Sequence, residues 1–298
     1  MRLLLVFLAI LAATPAWGNG SLLIVGGGLS AENTQIYRAI IDRANGGKIA
    51  IIPSASGEPQ SSLDAFAANL VSHGVEPSRI LQVKIAEVDD PATLIDESQW
   101  AVNADNRTEI AKIDQAVAIW FTGGDQARTL RLLTHSGQDR PMLAAIRGRL
   151  AAGAVVGGTS AGAAIMGSGM IVCGDPVRAS EPVSRNPSDC AKEEGRSEPL
   201  VLGSGLGFLK EYVVDQHFSQ RARLPRLVRA VMCGAGRGIG IDEDTAILVD
   251  LQTRHAHVFG SGGVSVVESK CPVPNCDVRS GLFEIAIYRS GQNFRLRK

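Results

Sequence analysis

The chain has 298 residues, of which 45% are hydrophobic and 20% are charged, and it contains 33 glycines. This composition excludes a disordered chain or a coiled coil and is typical of an enzyme-sized α/β domain with one large core. The 30 basic and 30 acidic residues give a formal net charge of zero. No overall charge therefore favours nucleic acid or an anionic membrane, and any recognition of charge must be local.

The first 18 residues have the pattern of a secretory signal peptide. Arg2 precedes the apolar run 3–13, and the small residues Ala16 and Gly18 fit a cleavage site. The run is too short to span a bilayer, and no later stretch of the sequence is long and apolar enough. A buried N-terminal helix or a membrane anchor is the alternative. We expect a secreted or periplasmic protein, with residues 1–18 as the signal peptide and 19–298 as a single domain.

The segments that follow alternate between strand and helix patterns. Strands are predicted at 21–25, 48–53 and 80–83, and helices at 32–45 and 63–73. This alternation predicts an α/β fold with an open, mostly parallel sheet covered by helices on both faces, in three layers.

The first strand ends in glycines whose spacing resembles a dinucleotide-binding fingerprint, Gly26-x-Gly28-x-x-Ala31. That fingerprint requires a carboxylate at the end of the second strand, where Pro53 and Ser54 stand instead. The favoured interpretation is a tight turn between strand and helix, and no cofactor is expected.

The second half of the chain continues the pattern and ends in short strands. Strands are predicted at 116–121, 153–156, 212–215 and 237–241, with helices at 125–133 and 141–152 and an irregular surface loop at 173–199. Four C-terminal runs predict antiparallel strands, at 246–249, 256–259, 264–267 and 283–288.

The segment 157–165 has the features of a nucleophile elbow around Ser160. A small, β-branched run precedes it and helix-tolerant residues follow, so Ser160 is predicted on a turn from strand to helix. Gly158 and Gly162 complete the pattern G-x-S-x-G, in which glycines permit a strained backbone and the helix N-terminus offers N–H groups to an oxyanion. The alternative is a packing turn rich in glycine and alanine.

A serine nucleophile needs a base and a group that orients the base. Among five histidines, His217 alone follows the end of a predicted central strand, where catalytic residues of open α/β sheets lie. Glu243 follows the next strand and is the candidate orienting group, with Asp242 and Asp244 as alternatives. The other histidines are expected on the surface, and no metal site is predicted because His255 and His257 lack carboxylate or cysteine neighbours.

The turn after strand 116–121 is a second candidate part of the site. Gly124, like Ala161 behind the serine, is expected to supply an oxyanion N–H, and Gln126 to contact substrate. Asp125 is predicted to cap the following helix, and a capped turn without further function is the alternative.

Four of the five cysteines lie in polar loops, where an oxidising compartment would pair them. We predict the disulfides Cys173–Cys190 and Cys271–Cys276. Cys233 lies in an apolar run and is expected to be a buried free thiol.

Four segments resemble the signature blocks of cyanophycinases, in the same order. They are 121–126, 157–163, 215–226 and 240–246. The resemblance implies a fold like class I glutamine amidotransferases and an exo-acting serine peptidase. The implied substrate is cyanophycin, a poly-aspartate with arginine on each β-carboxyl, and the implied products are β-Asp-Arg dipeptides.

The resemblance also implies a role for each matching residue. Ser160 is the nucleophile, His217 the base and Glu243 its orienting group. The residues implied to line the substrate pocket are Gln126, Asp215, Gln216, Arg221, Arg223 and Arg226. Arginines suit the free carboxylates of the substrate and Asp215 suits its guanidinium, whereas Arg229 is expected on a solvated helix face.

Two alternatives stay open. One is an aspartyl or isoaspartyl dipeptidase of the same fold, which would share the triad and lack a pocket for arginine. The other is a non-catalytic periplasmic binding protein. The expected partner is cyanophycin or short β-linked Asp-Arg peptides, with no nucleic acid and no membrane after signal cleavage, and a homodimer is a candidate assembly.

Overall fold

The computed structural model of the protein describes residues 20–190, 198–270, 276 and 281–297. The predicted signal peptide, 1–18, lies outside the described residues. Within them, no helix is long and apolar enough to cross a membrane.

The described residues form seven α-helices and sixteen strands. The helices are α1 (Thr34–Ala44), α2 (Pro59–Ser72), α3 (Arg107–Gln115), α4 (Gln126–Leu133), α5 (Pro141–Ala151), α6 (Ala161–Ala164) and α7 (Leu224–Met232). The strands are β1 (Ser21–Val25), β2 (Lys48–Ile52), β3 (Ile80–Gln82), β4 (Ala116–Phe121), β5 (Thr134–His135), β6 (Gln138–Asp139), β7 (Val155–Thr159), β8 (Gly167–Cys173), β9 (Val201–Ser204), β10 (Leu209–Asp215), β11 (Arg237–Ile241), β12 (Thr245–Asp250), β13 (His255–Gly260), β14 (Gly263–Ser269), β15 (Phe283–Arg289) and β16 (Asn293–Arg295).

The larger sheet has the strand order β16-β13-β12-β1-β7-β4-β2-β3. Strands β1, β7, β4, β2 and β3 are parallel, and β12, β13 and β16 extend the sheet with antiparallel pairs. Side chains of β1 alternate between two apolar clusters, with Leu22 and Ile24 in one and Leu23 and Val25 in the other. Because both faces bury apolar side chains, the predicted sheet covered on both faces is confirmed.

A second sheet, with the order β15-β14-β11-β10-β8-β9, was not expected from the sequence. It contains β8, whose first half carries glycines at 167 and 169 and whose apolar run is confined to residues 170–173, too short to predict the strand. Its parallel strands β8, β10 and β11 bring Cys173, Asp215 and Ile241 to corresponding ends of neighbouring strands. The predicted antiparallel strands near the C-terminus are confirmed as β12 to β15.

Backbone hydrogen bonds join the strand ends that carry the candidate site residues. The N–H of Ser160 donates to Val25 O at 3.1 Å, and the N–H of His217 donates to Gly26 O at 2.6 Å. The end of β1 therefore holds the elbow after β7 and the turn after β10 against each other.

One of the two predicted disulfides is present, and the other is replaced by a different pairing. The bridge Cys173–Cys190 is confirmed. The expected pairing of Cys271 with Cys276 is wrong, since Cys276 pairs with Cys233 across 43 residues of sequence, and Cys233 is therefore not a free thiol. Cys233 ends α7 and packs with Cys276 in an apolar cluster beneath that helix, a contact made by the tertiary fold that sequence proximity cannot reveal. Cys271 lies outside the described residues.

Candidate active site

Ser160 lies on a strained turn between β7 and α6. Its backbone has φ 54° and ψ −114°, a conformation that non-glycine residues rarely adopt and that occurs at nucleophile elbows. A Cβ on Gly158 would lie 2.7 Å from Gly162 O, and a Cβ on Gly162 would lie 2.5 Å from Phe121 O. The two glycines are therefore required for the close approach of strand, turn and helix.

The side chains of Ser160, His217 and Glu243 form a continuous chain of hydrogen bonds. Ser160 Oγ lies 2.7 Å from His217 Nε2, and His217 Nδ1 lies 2.6 Å from Glu243 Oε1. If Nδ1–H donates to the carboxylate, Nε2 is free to accept the serine proton, which is the arrangement of a serine hydrolase triad.

The neighbouring carboxylates have other partners. Asp242 accepts the N–H of Ser219 at 2.9 Å, and Asp244 accepts the N–H of Ser30 at 3.0 Å. Of the three consecutive acidic residues, Glu243 is the one that the fold brings to the imidazole.

The glycine turn after β1 lies against His217 and Glu243, a contact that sequence reasoning missed. A Cβ on Gly27 would lie 2.3 Å from His217 Cε1, and a Cβ on Gly28 would lie 3.0 Å from Glu243 Cβ. Both glycines have positive φ, 97° and 53°. The run of three glycines after a buried strand was the sequence feature that could have indicated this contact. The tight turn predicted there packs against the imidazole of His217.

The environment of His217 favours its neutral form. Burial lowers the pKa of His217 below its ordinary value of 6.5, and the positive charges of Arg221 and Arg223 lower it further, against an opposing contribution from Glu243. The imidazole is thus neutral and able to accept a proton at neutral pH.

The residues expected to bind an oxyanion lie around Ser160. Ala161 is the first residue of α6, so its N–H has no acceptor within the helix. Gly124 lines the same cavity as Ser160, and a Cβ on Gly123 would lie 3.3 Å from Ser160 Cβ. A reacting carbonyl at Ser160 would therefore meet backbone from both turns.

A polar cavity of about 380 Å³ opens beside Ser160. The predicted residues that line it are Gln126, Gln216, Arg221, Arg223 and Arg226, whereas Asp215 lies behind them. Its unexpected lining includes Asp175, Glu198 and both cysteines of the bridge Cys173–Cys190. The irregular loop predicted on the surface thus contributes a wall of the site.

Comparison with known proteins identifies the family. The model of peptidase family S51 matches residues 22–256. The chain is 33% identical to the cyanophycinase of Geminocystis herdmanii over 261 residues, which cover 85% of this chain and 82% of that protein. It is 32% identical to the cyanophycinase of Trichormus variabilis, over 86% of this chain and 76% of that protein. The chain belongs to peptidase family S51.

Solved structures support the fold of this S51 peptidase. The crystal structure of a peptidase from an acI-B1 Actinobacterium matches with a TM-score of 0.63 and 20% identity, over 94% of this chain and 98% of that one. A putative peptidase E from Listeria monocytogenes matches with a TM-score of 0.50 and 17% identity, over 82% of this chain and 99% of that one. The expected α/β fold like class I glutamine amidotransferases is confirmed, and the family identifies the chain as a serine peptidase.

The arginines of this S51 peptidase have distinct surroundings. Arg226 is 5% exposed and Asp215 is 1% exposed, and Arg226 Nε donates to Asp215 Oδ2 at 2.8 Å while Nη2 donates to Oδ1 at 2.5 Å. Arg223 precedes α7, and its Nη1 donates to Gln216 O at 2.7 Å. Arg221 is exposed and lies two residues earlier.

The charge of Arg223 is only partly compensated. Burial and the positive charge of Arg226 lower its pKa to about 10, although Asp215, whose Oδ1 lies 3.5 Å from Arg223 Nη1, opposes this shift. A pKa near 10 still leaves the guanidinium charged at neutral pH. An anion in the cavity would stabilise it.

Gln126 and Arg229 have surroundings different from those predicted. The amide of Gln126 donates to Ile171 O at 2.9 Å and to Val172 O at 2.7 Å, so it ties α4 to the end of β8. Arg229, expected on a solvated face, is half-buried in α7. Asp125 caps α4 as predicted, since its carboxylate accepts the N–H of Ala127 at 2.9 Å.

Proposed function

We propose that this serine peptidase hydrolyses cyanophycin from a chain end and releases β-Asp-Arg dipeptides. The observation that carries the proposal is that Arg221 and Arg223 line the cavity beside Ser160, within one site with the proposed nucleophile. The relatives named cyanophycinases support the same substrate. Residues 19–298 would act as one peptidase domain.

In the proposed reaction, His217 Nε2 takes the proton of Ser160 Oγ as the oxygen attacks the scissile carbonyl carbon. The N–H groups of Ala161 and Gly124 would stabilise the oxyanion of the tetrahedral intermediate. As the C–N bond breaks, the imidazolium returns its proton to the leaving amine and an acyl-enzyme remains. Water, deprotonated by His217, then hydrolyses the ester and restores Ser160. Glu243 holds the tautomer and stabilises the transient imidazolium.

The proposed specificity rests on charge. A terminal β-Asp-Arg unit carries carboxylates from its arginine and from the end of the aspartate chain, and a planar guanidinium binds such groups with two parallel hydrogen bonds. Arg223 is the principal candidate because its charge is buried and only partly compensated. Carboxylates of Asp175 and Glu198 in the same lining would suit the guanidinium of the substrate.

Asp215 and Arg226 have a different proposed role from direct binding. Each is nearly fully buried and already paired with the other. Removing one partner of such a buried pair strongly destabilises the folded protein, because the other charge is left buried without a partner. We assign the pair to positioning, since it fixes the end of β10 next to Gln216 and His217.

Two disulfides are consistent with folding in an oxidising compartment. Together with the predicted signal peptide they support a secreted or periplasmic enzyme. Such an enzyme would act on polymer released from other cells.

The test compares two substrates in the parent and in Arg223→Lys. The parent should cleave a soluble β-linked Asp-Arg oligomer far better than an isoaspartyl dipeptide without arginine. Arg223→Lys keeps the charge and loses the planar fork, so kcat/KM for the oligomer should fall about 30-fold. The exposed Arg289→Lys is the matched control and should behave as the parent. Preference for the isoaspartyl dipeptide would instead identify a dipeptidase.

A further inference from the structure

One wall of the active-site cavity is built from the segment that the Cys173–Cys190 disulfide crosslinks. Cys173, Gly174, Asp175, Pro187 and Cys190 all line the cavity that contains Ser160. Neither cysteine takes part in the proposed chemistry. Their position nevertheless makes the crosslink part of the surface that a substrate meets.

The Cys173 end of the bridge is tied directly to two residues that line the cavity. Arg226 Nη1 donates to Gly174 O at 2.6 Å. Gln126 Nε2 donates to the carbonyl oxygens at 171 and 172. The end of β8 is therefore fixed to the same groups that shape the cavity.

The Cys190 end follows a single 3-10 turn, Pro187–Asp189. The side-chain bonds of this turn stay local, with Asn186 accepting the N–H of Ser188 and Asp189 contacting Ser184. The N–H of Ser184 in turn donates to Leu200 O at 3.0 Å. The chain just before the turn is also held by Leu202 N–H, which donates to Ser184 O at 2.9 Å, and by Arg185 Nη2, which donates to Cys233 O at 2.7 Å. The disulfide joins the turn itself to the end of β8.

We propose that the Cys173–Cys190 disulfide is a positioning element that fixes the 187–190 wall for substrate binding. This inference rests on the proposed function. The crosslink holds Pro187 and Cys190 beside the arginines and leaves the hydrogen bonds from Ser160 to Glu243 untouched. Its loss should raise KM for the peptide substrate, because ordering a mobile wall when the substrate binds costs conformational entropy and weakens binding. The intrinsic reactivity of Ser160 should not change.

The second disulfide provides a matched control. Cys233 and Cys276 pack in the apolar cluster with Leu227 and Val231, and neither lines the cavity. The Cys233 carbonyl accepts from Arg185 Nη2 at 2.7 Å, and this backbone acceptor is retained in a serine variant. This bridge spans 43 residues against 17 for Cys173–Cys190. The chain-entropy model therefore gives its loss at least as large an effect on stability. A change in KM confined to the first bridge would not be a general effect of destabilisation.

The experiment compares Cys173→Ser/Cys190→Ser with Cys233→Ser/Cys276→Ser. Steady-state kinetics on a soluble β-linked Asp-Arg oligomer give KM and kcat, and a small fluorophosphonate without peptide features reports the reactivity of Ser160. We expect KM to rise about tenfold in the first variant, with labelling within about twofold of the parent. The second variant should keep both values near those of the parent.

Reduction gives the same test without mutating Cys173 or Cys190. In the Cys233→Ser/Cys276→Ser variant, a phosphine reductant kept present during the assay opens Cys173–Cys190, and alkylation of a separate sample followed by peptide mass spectrometry verifies that it has opened. KM should rise as in the double serine variant and labelling should persist.

Three results would overturn the inference. The first is an unchanged KM after the bridge is verifiably lost. The second is labelling of Ser160 that falls by the same factor as kcat/KM, which would mean that the disulfide supports the triad itself. The third is a parent that labels normally yet does not cleave the oligomer, and this result alone also overturns the proposed substrate.

Discussion

At the scale of single residues, two adjacent glycines, Gly27 and Gly28, lie against the proposed base His217 and its partner Glu243. Both positions require a backbone with positive φ. Gly27 has no room for a Cβ, and a Cβ on Gly28 would make a tight contact of 3.0 Å with Glu243 Cβ. The catalytic geometry therefore depends on residues that take no part in proton transfer. Their contribution is to let His217 and Glu243 approach the end of β1.

Gly27→Ala tests this contact. The added Cβ would lie 2.3 Å from the imidazole Cε1, so the ring must shift from its position beside Ser160 Oγ. A displacement of about 1 Å can cost about 100-fold in rate, and we expect kcat to fall by at least that factor. Measured kcat and urea denaturation separate this effect from loss of the fold.

Gly46→Ala is the control for Gly27→Ala. Gly46 also has positive φ, 80°, but nothing lies within 4 Å of an added Cβ. Both variants should lose about 1–2 kcal/mol of stability from backbone strain, and Gly46→Ala should keep the parent's kcat. Equal activity in the two variants would show that the glycine turn does not position His217.

The pH dependence of kcat/KM tests the charge environment of His217. The reaction needs neutral His217, whose pKa is lowered by burial and by Arg221 and Arg223. Activity should therefore fall as the pH drops through a midpoint below 6.5, the ordinary pKa of histidine. Arg221→Ala removes one positive charge, so the pKa should rise and the acid limb should move to higher pH.

The midpoint of the acid limb is informative even if Arg221→Ala also weakens binding. Arg289→Ala changes the net charge equally at an exposed position on β15 and should leave the midpoint in place. A midpoint that stays fixed in Arg221→Ala, or moves to lower pH, would contradict this electrostatic account.

At the scale of elements, sequence patterns revealed strands with continuous β-branched or apolar runs. The bounds of β1, β4 and β11 agree with those predicted. The strand β8 was missed because its glycines do not resemble a strand, and the second sheet was missed with it. Helix α3 was missed as well, because most of its residues are polar and Ile113 is the one apolar residue that it buries.

The candidate site was predictable where residues follow the ends of strands. Ser160, His217 and Glu243 all follow strands whose sequences are recognisable, so their meeting at one sheet edge follows from topology. The different surroundings of the arginines were not predictable, because they depend on α7 beginning at Leu224. That start leaves Arg221 and Arg223 on the preceding turn and directs Arg226 toward Asp215.

At the scale of the whole molecule, a chain with no net charge brings several arginines together at one place. The formal net charge is zero, whereas Arg221, Arg223 and Arg226 line one cavity. The strands β4, β7, β8 and β10, drawn from two sheets, end around this cavity. Binding of an acidic substrate is therefore a property of the site that the fold assembles, and overall charge gives no indication of it.

The most direct test of this account is mass spectrometry of the soluble products formed from insoluble cyanophycin by the parent and by Ser160→Ala. The parent should release β-Asp-Arg dipeptides as the principal product. Loss of the nucleophile of a triad typically costs on the order of 10⁶ in turnover, so Ser160→Ala should release no detectable dipeptide while keeping its fold. Dipeptide release by Ser160→Ala within about tenfold of the parent, or a parent that releases none, would contradict the account.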